Sequence, residues 1–289
     1  MKVIVLVGPT ASGKTDLSLK IAKYLNTDII SGDSVQVYRS LDIGSAKIKK
    51  EEMIGITHHL IDILDPSDNY SVEAFQRESR KLIEDLTKNN KVPFIVGGTG
   101  FYIKAALYDY QFNDSKRTDE FDNLSNEEIY SRLVELNDEE IPDVHNRKRL
   151  LRHLEIYSRG EEVKHNKDIP IYDSLIIGLK VDRDILYDRI NKRVDKMVEE
   201  GLIEEAKKLY DQNIHSNAVL SIGYKELYDY FDSKITLDEA INLIKQHSRN
   251  FAKRQYTWFN NQMDVKWIDP LDPCAYKKTI ELIDSFLKE

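Results

Sequence analysis

The segment Gly8-Pro9-Thr10-Ala11-Ser12-Gly13-Lys14-Thr15 fits G-x-x-x-x-G-K-[ST], and no other stretch constrains the fold so tightly. It follows an aliphatic run, Lys2 to Val7, that reads as a buried parallel strand. It opens a stretch from Lys14 to Leu25 in which Leu17, Ile21 and Leu25 recur at helical spacing. Strand, glycine-rich turn and helix together are the first half of a βαβ unit. The glycines let the backbone curl so that its N–H groups point at an anion, and the helix adds its positive end. Lys14 supplies a mobile charge for terminal phosphate oxygens, and the Thr15 hydroxyl can ligate Mg²⁺. Gly8 to Thr15 are therefore candidate polyphosphate-binding residues, with Thr15 the candidate metal ligand. The pattern does not say which polyphosphate.

Further along, Ile29 and Ile30 read as a second strand and His58 to Ile63 as a third. Ser71 to Asn89 reads as a helix capped by Ser71, and Val92 to Val96 as another buried strand. From about Gln111 to Lys167 the chain turns polar, with helical pieces and no strand of core quality. Leu175 to Val181 returns to the sheet, followed by amphipathic helices near Arg183 to Glu200 and Leu237 to Asn260. The second of these has a capping box, Thr236 with Glu239. Val265 to Ile268 and a helix from Lys277 close the chain. The expected fold is α/β: a P-loop NTPase-like parallel sheet flanked by helices, with a mostly helical insertion domain. The core would be formed by 1–110 and 170–289, and the insertion by 111–169.

A P-loop ATPase usually places a metal-binding Asp at the end of an apolar strand. Here the strand Val92 to Val96 runs instead into Gly97-Gly98-Thr99-Gly100. An acid does follow the second strand, in Ser31-Gly32-Asp33-Ser34. Strand ends beside such a loop gather around one crevice, so Asp33 and Thr99 are expected to face the ligand of Lys14. On position alone Asp33 can be a metal ligand, a general base or a turn residue.

These pieces, with others, resemble the tRNA dimethylallyltransferase (tRNA isopentenyltransferase) family. The matching segments are GPTASGKT at 8–15, GDSVQVYR at 32–39, DIGSAK at 42–47, HHLID at 58–62, GGTGFYI at 97–103, IGYKEL at 222–227 and AKRQYTWF at 252–259. The resemblance implies transfer of a dimethylallyl group from dimethylallyl diphosphate to N6 of the adenosine at position 37, beside the tRNA anticodon, with Mg²⁺ as cofactor. It implies Asp33 as the base that takes the N6 proton, Thr99 near diphosphate and tRNA, Lys14 and Arg189 on the diphosphate, and Asp33, Ser34, Val35 and Gln36 against the target nucleotide. Gln36 could read an adenine edge through its amide. Residues Lys148, Arg149, Leu150, Leu151 and Arg152 match a segment that contacts the anticodon stem-loop, Arg149 and Arg152 sharing a face while the leucines turn to the core.

Three departures stand out. Ser45 replaces the usual Thr, Ser248-Arg249-Asn250-Phe251 replaces the commoner Thr-Arg-x-Tyr, and the insertion is short and acidic, with Asp138, Glu139, Glu140 and Asp143. Lys116 or Arg117 is then the candidate for the tRNA-contacting cation in the insertion's first half. Arg193 and Lys196, which form a stripe with Arg189, are expected at the surface. His58 and His59 find no third ligand at metal-site spacing and are expected to be structural.

A net charge of −8 would argue against a nucleic-acid partner, but local clusters outweigh an average. The single Cys274 excludes a disulfide framework or a cysteine zinc module. The longest apolar runs, such as Val3 to Val7, are far too short for a bilayer, and no targeting segment opens the chain, so a cytoplasmic protein is expected; it is expected to be a monomer because no long unpaired apolar helix face suggests a partner. Two rival activities share the loop: an isopentenyltransferase acting on free AMP, ADP or ATP, and a small-molecule kinase.

Overall fold

The computed structural model describes residues 1–113, 118–136, 138, 140–164 and 168–289. The chain divides into two compact units, Met1–Tyr108 with Pro170–Glu289, and Asp109–Ile169.

The first unit is built on a six-stranded, wholly parallel sheet. Its strands are β1 Lys2–Val7, β2 Ile29–Gly32, β3 His58–His59, β4 Phe94–Gly97, β5 Asp173–Leu179 and β6 Lys266–Ile268, in the order β3-β2-β4-β1-β5-β6. Parallel strands need covering on both faces, and β1 shows how its residues divide the work. Val3, Val5 and Val7 pack on one side with Ile95, Ile103, Phe75 and Phe259. Ile4 and Leu6 pack on the other with Leu17, Ile21, Ile283 and Phe286. Helices α1 (Lys14–Leu25) and α10 (Ala275–Lys288) serve the second face. The first is served by α2 (Val72–Lys88), α3 (Gly100–Leu107) and the end of α9 (Leu237–Gln262). A further apolar cluster joins Val37, Tyr38 and Leu41 to α7 (Leu202–Asp211), α8 (Tyr224–Phe231) and α9. The α6 helix (Arg183–Glu199) lies against α9 through Leu186, Ile190 and Ala252. Among the described residues no helix is long and apolar enough to cross a membrane.

The expected parallel sheet with flanking helices is what the chain forms. The third strand is shorter than expected, ending at His59, because Leu60 and Asp62 adopt left-handed backbone (φ 62° and 55°). His59 pairs with Asp28 (3.1 Å) and the His58 ring with the Ile56 carbonyl (2.9 Å). Helix α3 is apolar on nearly every side and so shows little periodicity, whereas α7 and α8 are amphipathic but short, 10 and 8 residues, and start behind glycines.

Strand register decides what lies at the carboxyl edge. Gly97 is opposite both Val7 and Gly32, so β1, β2 and β4 end level and release the Gly8 loop, Asp33 and Thr99 at one height. A methyl group on Gly97 would lie 2.2 Å from the Gly32 carbonyl oxygen. Backbone cannot yield there, so Gly97→Ala should cost about 3 kcal/mol of stability and lower the melting temperature. A thermal melt of the variant matching wild type would show that the two strands can part.

The second unit holds α4 (Asn126–Glu135) and α5 (Arg147–Tyr157) around Ile129, Leu133, Leu150, Leu151 and Leu154.

Candidate active site

A cavity of ≈ 1180 Å³ opens at that carboxyl edge. Thr10 to Thr15 line it, with Asp33 to Gln36, Gly98, Thr99, Arg189, Arg193 and Gln255. The loop is bent by Gly13, whose φ of 92° would strain any other residue, and α1 starts directly after it. Lys14 Nζ donates to the carbonyls of Gly8 (2.9 Å) and Pro9 (2.8 Å). Burial, and then the nearby Arg193 charge, lower its pKa to about 8, while Asp33 pulls the other way. Arg193 Nη1 donates to Thr10 Oγ1 at 3.4 Å, and burial pulls the pKa of its guanidinium down as well. Two cations thus crowd one desolvated spot, an arrangement that an incoming anion relieves.

The Ser12 hydroxyl sharpens that point. It is fully buried and has no hydrogen-bond partner within the protein among the described residues. Such a group costs about 1–3 kcal/mol unless something else meets it, and a phosphate oxygen would.

Asp33 Oδ1 accepts from the backbone N–H groups of Val35 (2.8 Å) and Gln36 (3.2 Å), forming a tight turn. This holds the carboxylate while its second oxygen stays outside the turn. Thr99 Oγ1 donates to Ser34 Oγ at 3.4 Å, joining the two strand ends. Gln36 Nε2 donates to the Ser45 carbonyl at 3.2 Å and lies 3.5 Å from that of Ala46, so the N–H side of the amide expected to read an adenine is turned to this loop. Gln255 is buried and bridges the site's halves, its Oε1 accepting from Thr10 N (3.2 Å) and its Nε2 donating to Gly98 O (2.9 Å).

The family model for IPP transferase matches residues 36–262. The chain belongs to the IPP transferase family. Over 299 residues it is 47% identical to a tRNA dimethylallyltransferase of Anoxybacillus flavithermus, covering 99% of this chain and 96% of that one. A tRNA dimethylallyltransferase of Geobacillus thermodenitrificans is 44% identical, with 99% and 96% covered. Among solved structures, a tRNA isopentenylpyrophosphate transferase of Staphylococcus epidermidis aligns with TM-score 0.76 and 40% identity over 99% of this chain and 98% of that one. A eukaryotic dimethylallyltransferase acting on tRNA aligns with TM-score 0.87 and 29% identity, over 99% and 79%.

Within this IPP transferase cavity, Arg193 and Gln255 carry parts that the linear sequence concealed. Arg193 was expected at the surface, yet it points to the loop. The available signal was its position four residues, one turn, after Arg189. For Gln255 the signal was a glutamine between buried Ala252 and Phe259 on one helical stripe. Among the described residues the cavity lining has no His or Cys, and no three His, Cys, Asp or Glu side chains converge as a metal site. Apart from the Met197 thioether its potential metal donors are oxygens, with Thr15 beside the loop, which suits Mg²⁺ held mainly by substrate oxygens.

The basic cluster of the second unit lies on α5. Lys148 and Arg149 are exposed there. Arg147 instead clamps its own unit through Leu124 O, Asn126 Oδ1 and Asp122 O. Arg152 pairs with Glu155 and donates to Asn113 O. Leu150 (0% exposed) and Leu151 (6%) are buried, so their side chains support the helix and offer no surface for tRNA. Lys116, Arg117 and Glu139 lie outside the described residues.

Proposed function

We propose that this chain transfers the dimethylallyl group of dimethylallyl diphosphate to N6 of the adenosine at position 37, next to the anticodon of tRNA, releasing diphosphate. The observation that supports it is one cavity joining a cation-rich anion loop with an unpartnered buried hydroxyl to a carboxylate at the end of β2, on the far side of β4. Family membership supplies the donor and the acceptor.

In this reading Ser12, Lys14, Arg189, Arg193 and the loop N–H groups take the diphosphate. As the allylic C–O bond breaks, its electron pair leaves on the diphosphate, and these donors stabilise the growing charge. Mg²⁺, held by Thr15 and diphosphate oxygens, would neutralise further negative charge there. The N6 lone pair, delocalised in the ring, forms the new C–N bond as its proton passes to Asp33. Thr99 and Ser34 orient the reacting groups between the two strand ends. The target base must leave its stack to enter the cavity.

The helical unit would grip tRNA through phosphate contacts of Lys148 and Arg149, which add affinity without reading sequence. Replacing both with alanine should weaken tRNA binding and reduce the slope of log K against log salt by about 0.7–0.9 per lost contact. An unchanged slope in filter binding would return both side chains to ordinary surface charge.

The reading is tested with labelled dimethylallyl diphosphate, Mg²⁺ and either unmodified tRNA or AMP, without ATP. Label is expected on tRNA alone. Label on AMP alone would favour the free-nucleotide activity, and label on neither acceptor would sink both transferase readings and leave the kinase.

A further inference from the structure

Glu205 belongs to none of the groups that would meet substrate, yet it is the most heavily engaged carboxylate beside the cavity. Its Oε1 accepts from Tyr224 Oη at 2.6 Å and from the N–H groups of Ile43 (3.1 Å) and Gly44 (3.0 Å). Its Oε2 accepts from the N–H groups of Asp42 and Ile43, both at 2.9 Å. Among the described residues no cation pairs with it. Three successive backbone N–H groups converging on one carboxylate form the kind of nest that usually holds an anionic ligand. Here the anion is a side chain reaching over from α7.

The clamp is built closely. Tyr224 is fully buried, and its ring leaves no room for a side chain at 44, where a Cβ would come within 2.6 Å. Burial, then the Glu205 charge, push the Tyr224 pKa far up, so the phenol remains a donor. The clamped residues continue directly into Ser45 and Ala46, which line the cavity. The Ser45 carbonyl accepts from Gln36 Nε2 (3.2 Å), and the Gln36 N–H in turn donates to Asp33 Oδ1 (3.2 Å). A hydrogen-bonded path therefore runs from Glu205 through 42–45 and Gln36 to Asp33.

We infer that Glu205 is a positioning residue for the transfer reaction, clamping residues 42–44 so that the carbonyl of Ser45 orients Gln36 and, through its turn, the carboxylate of Asp33. The inference rests on the catalytic reading of the cavity given above. Glu205→Gln keeps the shape but turns one acceptor oxygen into a donor that faces other donors. The kcat for tRNA should fall about 100-fold, the usual consequence of displacing a catalytic group by roughly 1 Å. The KM for dimethylallyl diphosphate should not move, because the Gly8 loop is untouched.

A purely structural role predicts a different pattern, and Gln36→Ala separates the two. If Glu205 acts through Gln36, the double variant should be no slower than the slower single variant. Tyr224→Phe removes a single bond and serves if Glu205→Gln does not fold; it should lose about tenfold in kcat and be equally non-additive with Gln36→Ala. Wild-type kcat in these variants, or losses that add to that of Gln36→Ala, would overturn the inference. Amide hydrogen exchange reads the clamp without any turnover: the N–H groups of 42–44 should be protected in wild type and exposed in Glu205→Gln. A wild-type chain with that protection but no transfer to tRNA would sink the functional reading, and the positioning role with it, while leaving the clamp as geometry.

Discussion

Asp33→Asn and Asp33→Ala are both expected to bind tRNA normally and to lose about a thousandfold in turnover. The asparagine variant is the more informative. Its side-chain oxygen can still accept from the N–H groups of Val35 and Gln36, so the turn that shapes this strand end survives. What it cannot do is take a proton from N6. A loss of the same size in both variants therefore assigns the effect to proton transfer, whereas a loss confined to the alanine variant would assign it to the turn. Substrate binding should be spared in both, because the cations that would hold diphosphate lie on the Gly8 loop and α6. Unimpaired turnover by Asp33→Asn would mean that another group is the base.

Lys14→Met is the second large effect, an expected drop in kcat of about 10²–10³-fold, the cost of removing one donor aimed at developing charge. The Lys14 ammonium rests on the Gly8 and Pro9 carbonyls and must turn from them to diphosphate. Its lowered pKa of about 8 gives the prediction a pH signature. Below that value the free enzyme carries the ammonium and captures the donor. As pH rises through it the charge is lost, so kcat/KM for dimethylallyl diphosphate should fall. Bound diphosphate raises the pKa again by favouring the charged form. The kcat should therefore stay level over the same range. A kcat/KM that is flat from pH 7 to pH 9 would show that Lys14 is not the group titrating.

Much of this architecture is legible in the linear chain because its signals are local. The loop at 8–15 requires a strand before it and a helix after it, and the aliphatic runs at Lys2–Val7 and Asp173–Leu179 have the composition of strands buried on both faces. Hydrophobic periodicity exposes α1, α2, α6 and α9, and the capping pair Thr236 and Glu239 marks where α9 starts. The strand-end residues Asp33 and Thr99 could be named because neighbouring parallel strands end on one side of the sheet.

Most of the elements and the residues at their ends can thus be read from the linear chain, since each depends on neighbours a few positions away. Which distant groups meet around the Gly8 loop is a matter of tertiary packing. Arg193 reaches Thr10 across 183 positions, Gln255 joins Thr10 to Gly98, and Glu205 closes on residues 42–44. No periodicity encodes such pairs, because they follow from helix packing and strand order rather than from spacing. The same packing buries Leu150 and Leu151 and leaves Lys148 and Arg149 exposed, a division that a run of basic residues and leucines does not reveal. The loop of the opening segment is thus built from eight consecutive residues, whereas the burial of Lys14 and the approach of Arg193 and Asp33 are products of the fold.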